Sequence, residues 1–267
     1  MSKNALRYQG KNSGKMKARS GSDAHKERVE RGEQMLAEEQ VKIYDNRPKF
    51  HVTAKNESQK RYLQALRNNS LVVAMGSAGT GKTFIASWWA AKQYLDGHVN
   101  KIFITRANVT MGRDGGATPG DDLLKLTPLV MPMLEVLKKT LGEGRFQYML
   151  DRKVIEVAPV EKIRGRSFED CIIICDESQN IQPQHIESVV TRLGENAQMI
   201  LCGDSYQHDL KGLTGIEYIV NIIRKYRIED AGVVEFHPED CVRSGITRAF
   251  LLAFEQEWKE KKDRRYG

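Results

Sequence analysis

Between residues 50 and 258, short apolar runs alternate with longer stretches whose apolar positions recur at helical spacing. The runs at 71–75 (LVVAM), 101–105 (KIFIT), 154–158 (VIEVA), 171–175 (CIIIC), 199–202 (MILC) and 233–236 (VVEF) predict strands. The stretches near 57–67, 82–95, 121–141, 183–193, 215–226 and 245–260 predict helices. Strands apolar on both faces, with helices between them, imply an α/β domain with a largely parallel sheet. Ligands of such sheets bind beyond the carboxyl ends of the strands, so the residues just after each run carry the chemistry.

Three of those strand ends hold phosphate-site chemistry. After the first run stand Gly76, Ser77, Ala78, Gly79, Thr80, Gly81, Lys82 and Thr83, the pattern G-x-x-x-x-G-K-T. Its glycines let successive backbone N–H groups turn inward on a phosphate chain, its lysine adds positive charge, and its threonine hydroxyl can ligate magnesium. After 171–175 come Asp176 and Glu177. One carboxylate there can hold magnesium directly or through water, and the other can orient or deprotonate an attacking water. After 199–202, Gly203-Asp204 and Gln207 offer an amide able to sense a γ-phosphate.

Charge modifies this picture at the ends of the chain. The net charge is +7, with 12 Lys+Arg against 7 Asp+Glu in residues 1–50 and 5 against 2 in 259–267, so the centre is close to neutral. The expected organisation is a basic, partly disordered arm at 1–50, a nucleotide-binding domain at 51–258 and a basic tail at 259–267. Residues 25–40 have helical composition with paired charges. A basic arm can hold nucleic acid through counterion release, or simply solubilise the chain. Cys171, Cys175, Cys202 and Cys241 lack C-x-x-C spacing and read as buried thiols in a reducing compartment. The sequence has neither a run of about 20 apolar residues nor an apolar signal core, so a cytoplasmic protein with no membrane segment is expected.

Taken in order, GSAGTGKT, DESQ and GDSYQ resemble the ATPase core of superfamily 1 helicases and, more closely, the PhoH family of P-loop ATPases. The closer resemblance also uses ITRANV (104–109), PGD (119–121), APVEKIRGRSF (158–168), TRLGENAQMILCGD (191–204) and VRS (242–244), and it covers about residues 52–257. It implies a three-layer RecA-like P-loop NTPase domain that hydrolyses ATP with Mg2+. In that scheme Lys82, Glu177, Gln207 and Arg243 are catalytic, and Thr83 and Asp176 hold the metal. Gln59, in NESQKRYLQAL, is placed as the reader of adenine, with Asn56 nearby. Arg243 takes the position of a finger-type arginine, although Ser244 and Gly245 replace the histidine-proline pair that members often carry after it.

The resemblance also implies partners. Superfamily 1 motors complete their ATP site between two RecA-like domains, whereas this chain has one. A head-to-tail homo-oligomer, a ring hexamer by analogy with the family, is therefore expected, with Arg243 acting in trans or at the boundary. Arg106, Arg164 and Arg166 are candidates for binding single-stranded RNA or DNA, the last two equally for structuring their loop. Trp88 and Trp89 read as core rather than base-stacking residues. Three functions fit these features: an ATPase coupled to remodelling or unwinding single strands, a nucleotide-gated switch or assembly factor without motor activity, and, least well, a small-molecule kinase.

Overall fold

A computed structural model describes residues 48–107, 122–163, 166–204 and 213–266. Their order is α1 (Glu57–Asn68), β1 (Leu71–Gly76), α2 (Lys82–Leu95), β2 (Lys101–Arg106), α3 (Asp122–Leu141), α4 (Glu143–Asp151), β3 (Ile155–Val157), α5 (Val160–Ile163) and β4 (Cys171–Asp176). There follow α6 (Pro183–Val190), β5 (Gln198–Gly203), α7 (Gly215–Tyr226), β6 (Ala231–Phe236) and α8 (Gly245–Tyr266). The arm at 1–47, Arg164 and Gln207 lie outside the described residues.

The six strands form one sheet in the order β3-β2-β4-β5-β1-β6, and every pairing is parallel. Alternation of side chains along each strand divides the core in two. Val72, Ala74, Ile104, Ile174, Cys202 and Phe236 face α1 to α4, packing on Tyr62, Trp88, Trp89, Met133 and Leu137. Val73, Phe103, Ile173, Cys175 and Leu201 face the other way, onto Ile186 of α6 and Ile216, Ile219 and Val220 of α7. The chain is thus a three-layer α/β domain. Trp88 and Trp89 are core residues whose indole N–H groups donate to Phe50 O at 3.0 Å and Gln198 Oε1 at 2.7 Å.

Several boundaries differ from expectation. β6 begins two residues early, because its pairing with β1 runs from Leu71↔Ala231 to Gly76↔Phe236 and draws Ala231 and Gly232 into the ladder. β3 keeps only Ile155–Val157, paired with Ile102–Ile104 of β2 at the sheet edge. α4 and α5 were not expected from periodicity, since each is too short to show a full apolar stripe. α3 retains Pro128 and Pro132 within its span. α8 runs on to Tyr266, through the expected boundary at 258.

Candidate active site

The strand order brings the three motifs together. β1, β5 and β4 are consecutive neighbours, so Gly76, Gly203 and Asp176 end side by side on the carboxyl edge of the sheet. β2 lies on the far side of β4 and places Arg106 opposite Asp176 in the ladder. A cavity of about 500 Å³ opens over this edge. Its walls include Gln59, Ala78, Gly79, Gly81, Lys82, Thr83, Asp176, Glu177, Asp204 and Arg243.

The loop from Gly76 to Gly81 is held in shape by contacts that demand glycine. Gly76 has φ +121°, and a Cβ there would stand 1.9 Å from Phe236 O. Gly79 and Gly81 have φ +74° and +92°. Ser77 N donates to Phe236 O (3.2 Å), Val242 N donates to Gly79 O (3.1 Å), and Thr80 Oγ1 donates to Ser77 O (2.9 Å). The Lys82 ammonium sits inside the loop and donates to Gly76 O at 2.7 Å and Ser77 O at 2.8 Å. Burial lowers its pKa, against the attraction of Asp204 and other acidic neighbours.

The metal candidates converge. Thr83 Oγ1 donates to Asp176 Oδ1 at 2.8 Å, so one hydroxyl and one carboxylate oxygen meet at the mouth of the loop. That hard-oxygen pair fits a magnesium ion, which takes few protein ligands beside water and phosphate oxygens. Burial is the main influence on Asp176 and raises its pKa; the Thr83 hydrogen bond opposes this and the neighbouring Glu177 adds to it.

Glu177 is held on both sides. Its backbone is left-handed (φ 52°, ψ 37°), a conformation that costs a non-glycine residue energy and aims its side chain off the strand direction. Arg106 Nη2 donates to Glu177 Oε1 at 2.9 Å, and Gln179 Nε2 donates to Glu177 Oε2 at 2.6 Å. Gln179 in turn accepts from Asp204 N at 3.0 Å, which ties the β4 tip to the β5 tip. Gln179, 1% exposed, was not singled out from sequence; its place as the fourth residue of DESQ was the available signal.

Gln59 and Arg243 line the same cavity from the opposite side. Asn56 caps α1, accepting from Gln59 N at 2.8 Å, and its amide donates to Asp240 O at 2.9 Å. Gln59 Nε2 donates to Thr80 O at 2.9 Å, and Gln59 Oε1 accepts from Lys55 N at 2.8 Å. The side chain thus fastens α1 to the phosphate loop, and these bonds use one N–H and one lone pair of its amide. A Cβ on Gly79 would lie 3.1 Å from both Arg243 Cδ and Cys241 Sγ, so Arg243 packs against the loop of its own chain. The cysteines are buried thiols, and burial pushes Cys171 and Cys202 up to about 12.

Of the remaining arginines, Arg166 pairs with Glu156, whose other oxygen takes Lys101 at 3.0 Å. Its guanidinium also lies 5.9 Å from the Phe103 ring centroid. Among the described residues no helix is long and apolar enough to cross a membrane.

Comparison with known proteins finds a family model and similar chains. A family model described as PhoH-like protein matches residues 51–255. Protein PhoH of Escherichia coli K12 is 37% identical over 214 residues, which cover 79% of this chain and 60% of that protein. A PhoH-like protein of Bacillus subtilis is 33% identical over 236 residues, 88% of this chain and 72% of the relative. Among solved structures, a Sulfolobus solfataricus SWI2/SNF2 ATPase core in complex with dsDNA aligns at 16% identity with a TM-score of 0.36. That alignment covers 60% of this chain and 34% of the other.

Proposed function

The chain belongs to the PhoH-like family, and from that premise we propose that it hydrolyses ATP with Mg2+ and couples hydrolysis to binding or remodelling single-stranded RNA or DNA. The observation that carries the proposal is the meeting of Thr83 Oγ1 and Asp176 Oδ1 at 2.8 Å beside the buried Lys82, with Glu177 adjoining.

The residues take distinct roles. The loop amides and Lys82 bind the β- and γ-phosphates; Lys82 exchanges its bonds to Gly76 O and Ser77 O for phosphate oxygens. Thr83 and Asp176 would hold magnesium, which supplies charge neutralisation on the phosphates. Glu177 orients the water and takes its proton. Arg243, which lines the cavity, would set its positive charge against the γ-phosphoryl group being transferred, and Gln59 offers its remaining hydrogen-bonding capacity to adenine. Gln207 stands in this scheme as the γ-phosphate sensor.

Single-strand binding is supported by the basic ends of the sequence. A homo-oligomeric ring, with a hexamer as its expected size, is supported by the exposed apolar stripe Ile246, Phe250 and Phe254 on α8. A cytoplasmic setting is supported by the buried free thiols.

The test is steady-state ATP hydrolysis, alone and with single-stranded RNA or DNA. Lys82→Ala should abolish turnover, and Glu177→Gln should bind ATP without hydrolysing it. Wild-type turnover by Glu177→Gln would remove Glu177 as the base. Hydrolysis indifferent to both polymers would favour a nucleotide-gated switch acting on a protein partner.

A further inference from the structure

Arg106 does more at this site than a nucleic-acid contact would require. It ends β2 and lies across the ladder from Asp176. Its guanidinium makes three contacts: Nη2 with Glu177 Oε1 at 2.9 Å, Nη1 with Asp176 Oδ2 at 3.4 Å, and Nη1 with Leu129 O on α3 at 2.9 Å. β2 flanks β4 on the side away from β5 and the phosphate loop, so Arg106 approaches the acidic pair from that side. Gln179 takes the other oxygen of Glu177, so both oxygens of the proposed base already accept hydrogen bonds. Each oxygen keeps a lone pair, but the charge-assisted donor on one side and the amide on the other fix the direction of the carboxylate, so Glu177 cannot swing toward a water while both bonds hold.

The ion pair is accessible. The Arg106 side chain is 27% exposed and that of Glu177 34%, so both present part of their surface to solvent. A guanidinium fork that binds a carboxylate binds a phosphodiester with the same planar geometry. Arg106 also stands at the carboxyl edge of the sheet, the edge on which ligands of such folds lie.

We propose that Arg106 is a positioning residue that restrains Glu177, and that a backbone phosphate of a bound single strand competes for its guanidinium and releases Glu177 to the attacking water. The inference rests on the ATPase reading given above and names the residue through which strand binding reaches hydrolysis. The exchange is anion for anion at one cation, so strand binding and release of Glu177 are the same event. α3 shares in it, because the guanidinium that leaves Glu177 is also bound to Leu129 O.

Hydrolysis by the full chain at saturating ATP, with and without a homopolymeric single strand, tests the inference. Arg106→Gln should raise the unstimulated kcat severalfold, leave the KM for ATP nearly unchanged, and bring the ratio of stimulated to unstimulated rate close to one. Arg106→Lys, which keeps the charge and loses the fork, should keep a low unstimulated rate and part of the stimulation. A lower unstimulated kcat in Arg106→Gln, undiminished stimulation in it, or a wild-type rate indifferent to the strand would each overturn the inference.

A second measurement separates failure of the inference from failure of the ATPase reading. Thermal unfolding of wild type, Arg106→Gln, Glu177→Gln and the double variant, without nucleotide, should show non-additive Tm changes that become additive when the strand is present. Additivity in both conditions overturns the restraint. Strand-dependent coupling with no hydrolysis by any variant would instead retain the restraint and sink the ATPase reading.

Discussion

At the scale of the residue, Asp176 shows how function sets a cost on the fold. Its carboxylate is buried, and its pKa is raised from its ordinary value because desolvation outweighs the Thr83 hydroxyl and the Arg106 charge. The folded state therefore binds a proton more readily than the unfolded chain. Stability attributable to this group falls as pH rises from the unfolded pKa through the folded one, and the cost is fully present above the folded pKa. Asp176→Asn removes the charge and keeps an oxygen for Thr83. It is expected to raise the Tm of the nucleotide-free protein at pH 7, to show little difference from wild type at the acid end, and to lose magnesium-dependent nucleotide binding. Calorimetry at two pH values checks the first two, and titration with a fluorescent ATP analogue checks the third. A lower Tm at pH 7 would mean that the carboxylate's hydrogen bond and ion pair outweigh its desolvation.

At the scale of the element, the phosphate loop is a junction rather than a free loop. β6 supports it through Ser77 N to Phe236 O, α1 through Gln59 to Thr80 O, and the segment after β6 through Val242 N to Gly79 O. Gly76→Ala places a Cβ 1.9 Å from Phe236 O, which only movement of β6 or the loop can relieve. Overpacking of this kind costs about 1–3 kcal/mol, or a Tm loss of several degrees at roughly 2–4 °C per kcal/mol. Nucleotide affinity should fall with it. Asn56→Ala removes the α1 cap and the tie to Asp240 O, for about 1 kcal/mol and a similarly measurable drop in Tm. The expected nucleotide phenotype of Asn56→Ala is weaker binding with kcat retained, since α1 carries Gln59 but none of the groups around the γ-phosphate.

At the scale of the whole molecule, charge and apolar surface make separate predictions. Strand binding through the basic ends should weaken steeply with salt, and deleting residues 1–22, which hold no acidic residue, should make the slope of log affinity against log salt shallower. A slope unchanged by the deletion would remove the arm from the interface. The stripe Ile246, Phe250 and Phe254 leaves large apolar side chains exposed on α8. Light scattering should report a mass several times that of one chain, and Phe250→Glu should lower it toward a single chain; a monomeric wild type, with or without ATP, would sink the ring.

The sequence by itself determined the α/β class, the locations of the six strands and the nature of the chemistry at their ends. Runs such as CIIIC and LVVAM are apolar on both faces only in a sheet covered on both sides, and a G-x-x-x-x-G-K-T loop requires its residues in consecutive order. Local propensity and spacing carry that information. What only the tertiary structure decided is which strand tips are neighbours and which side chains meet across them. β1 and β4 are separated in the chain by the whole of β2 and β3, yet one strand, β5, lies between them in the sheet. That arrangement puts Thr83 on Asp176, makes Gln179 a link between two motifs, and turns Arg106 onto Glu177. These contacts join residues about 25 to 93 positions apart; they are fixed by which strands and helices are neighbours, and that choice leaves no periodic mark on the sequence, whose periods record only that a face is buried.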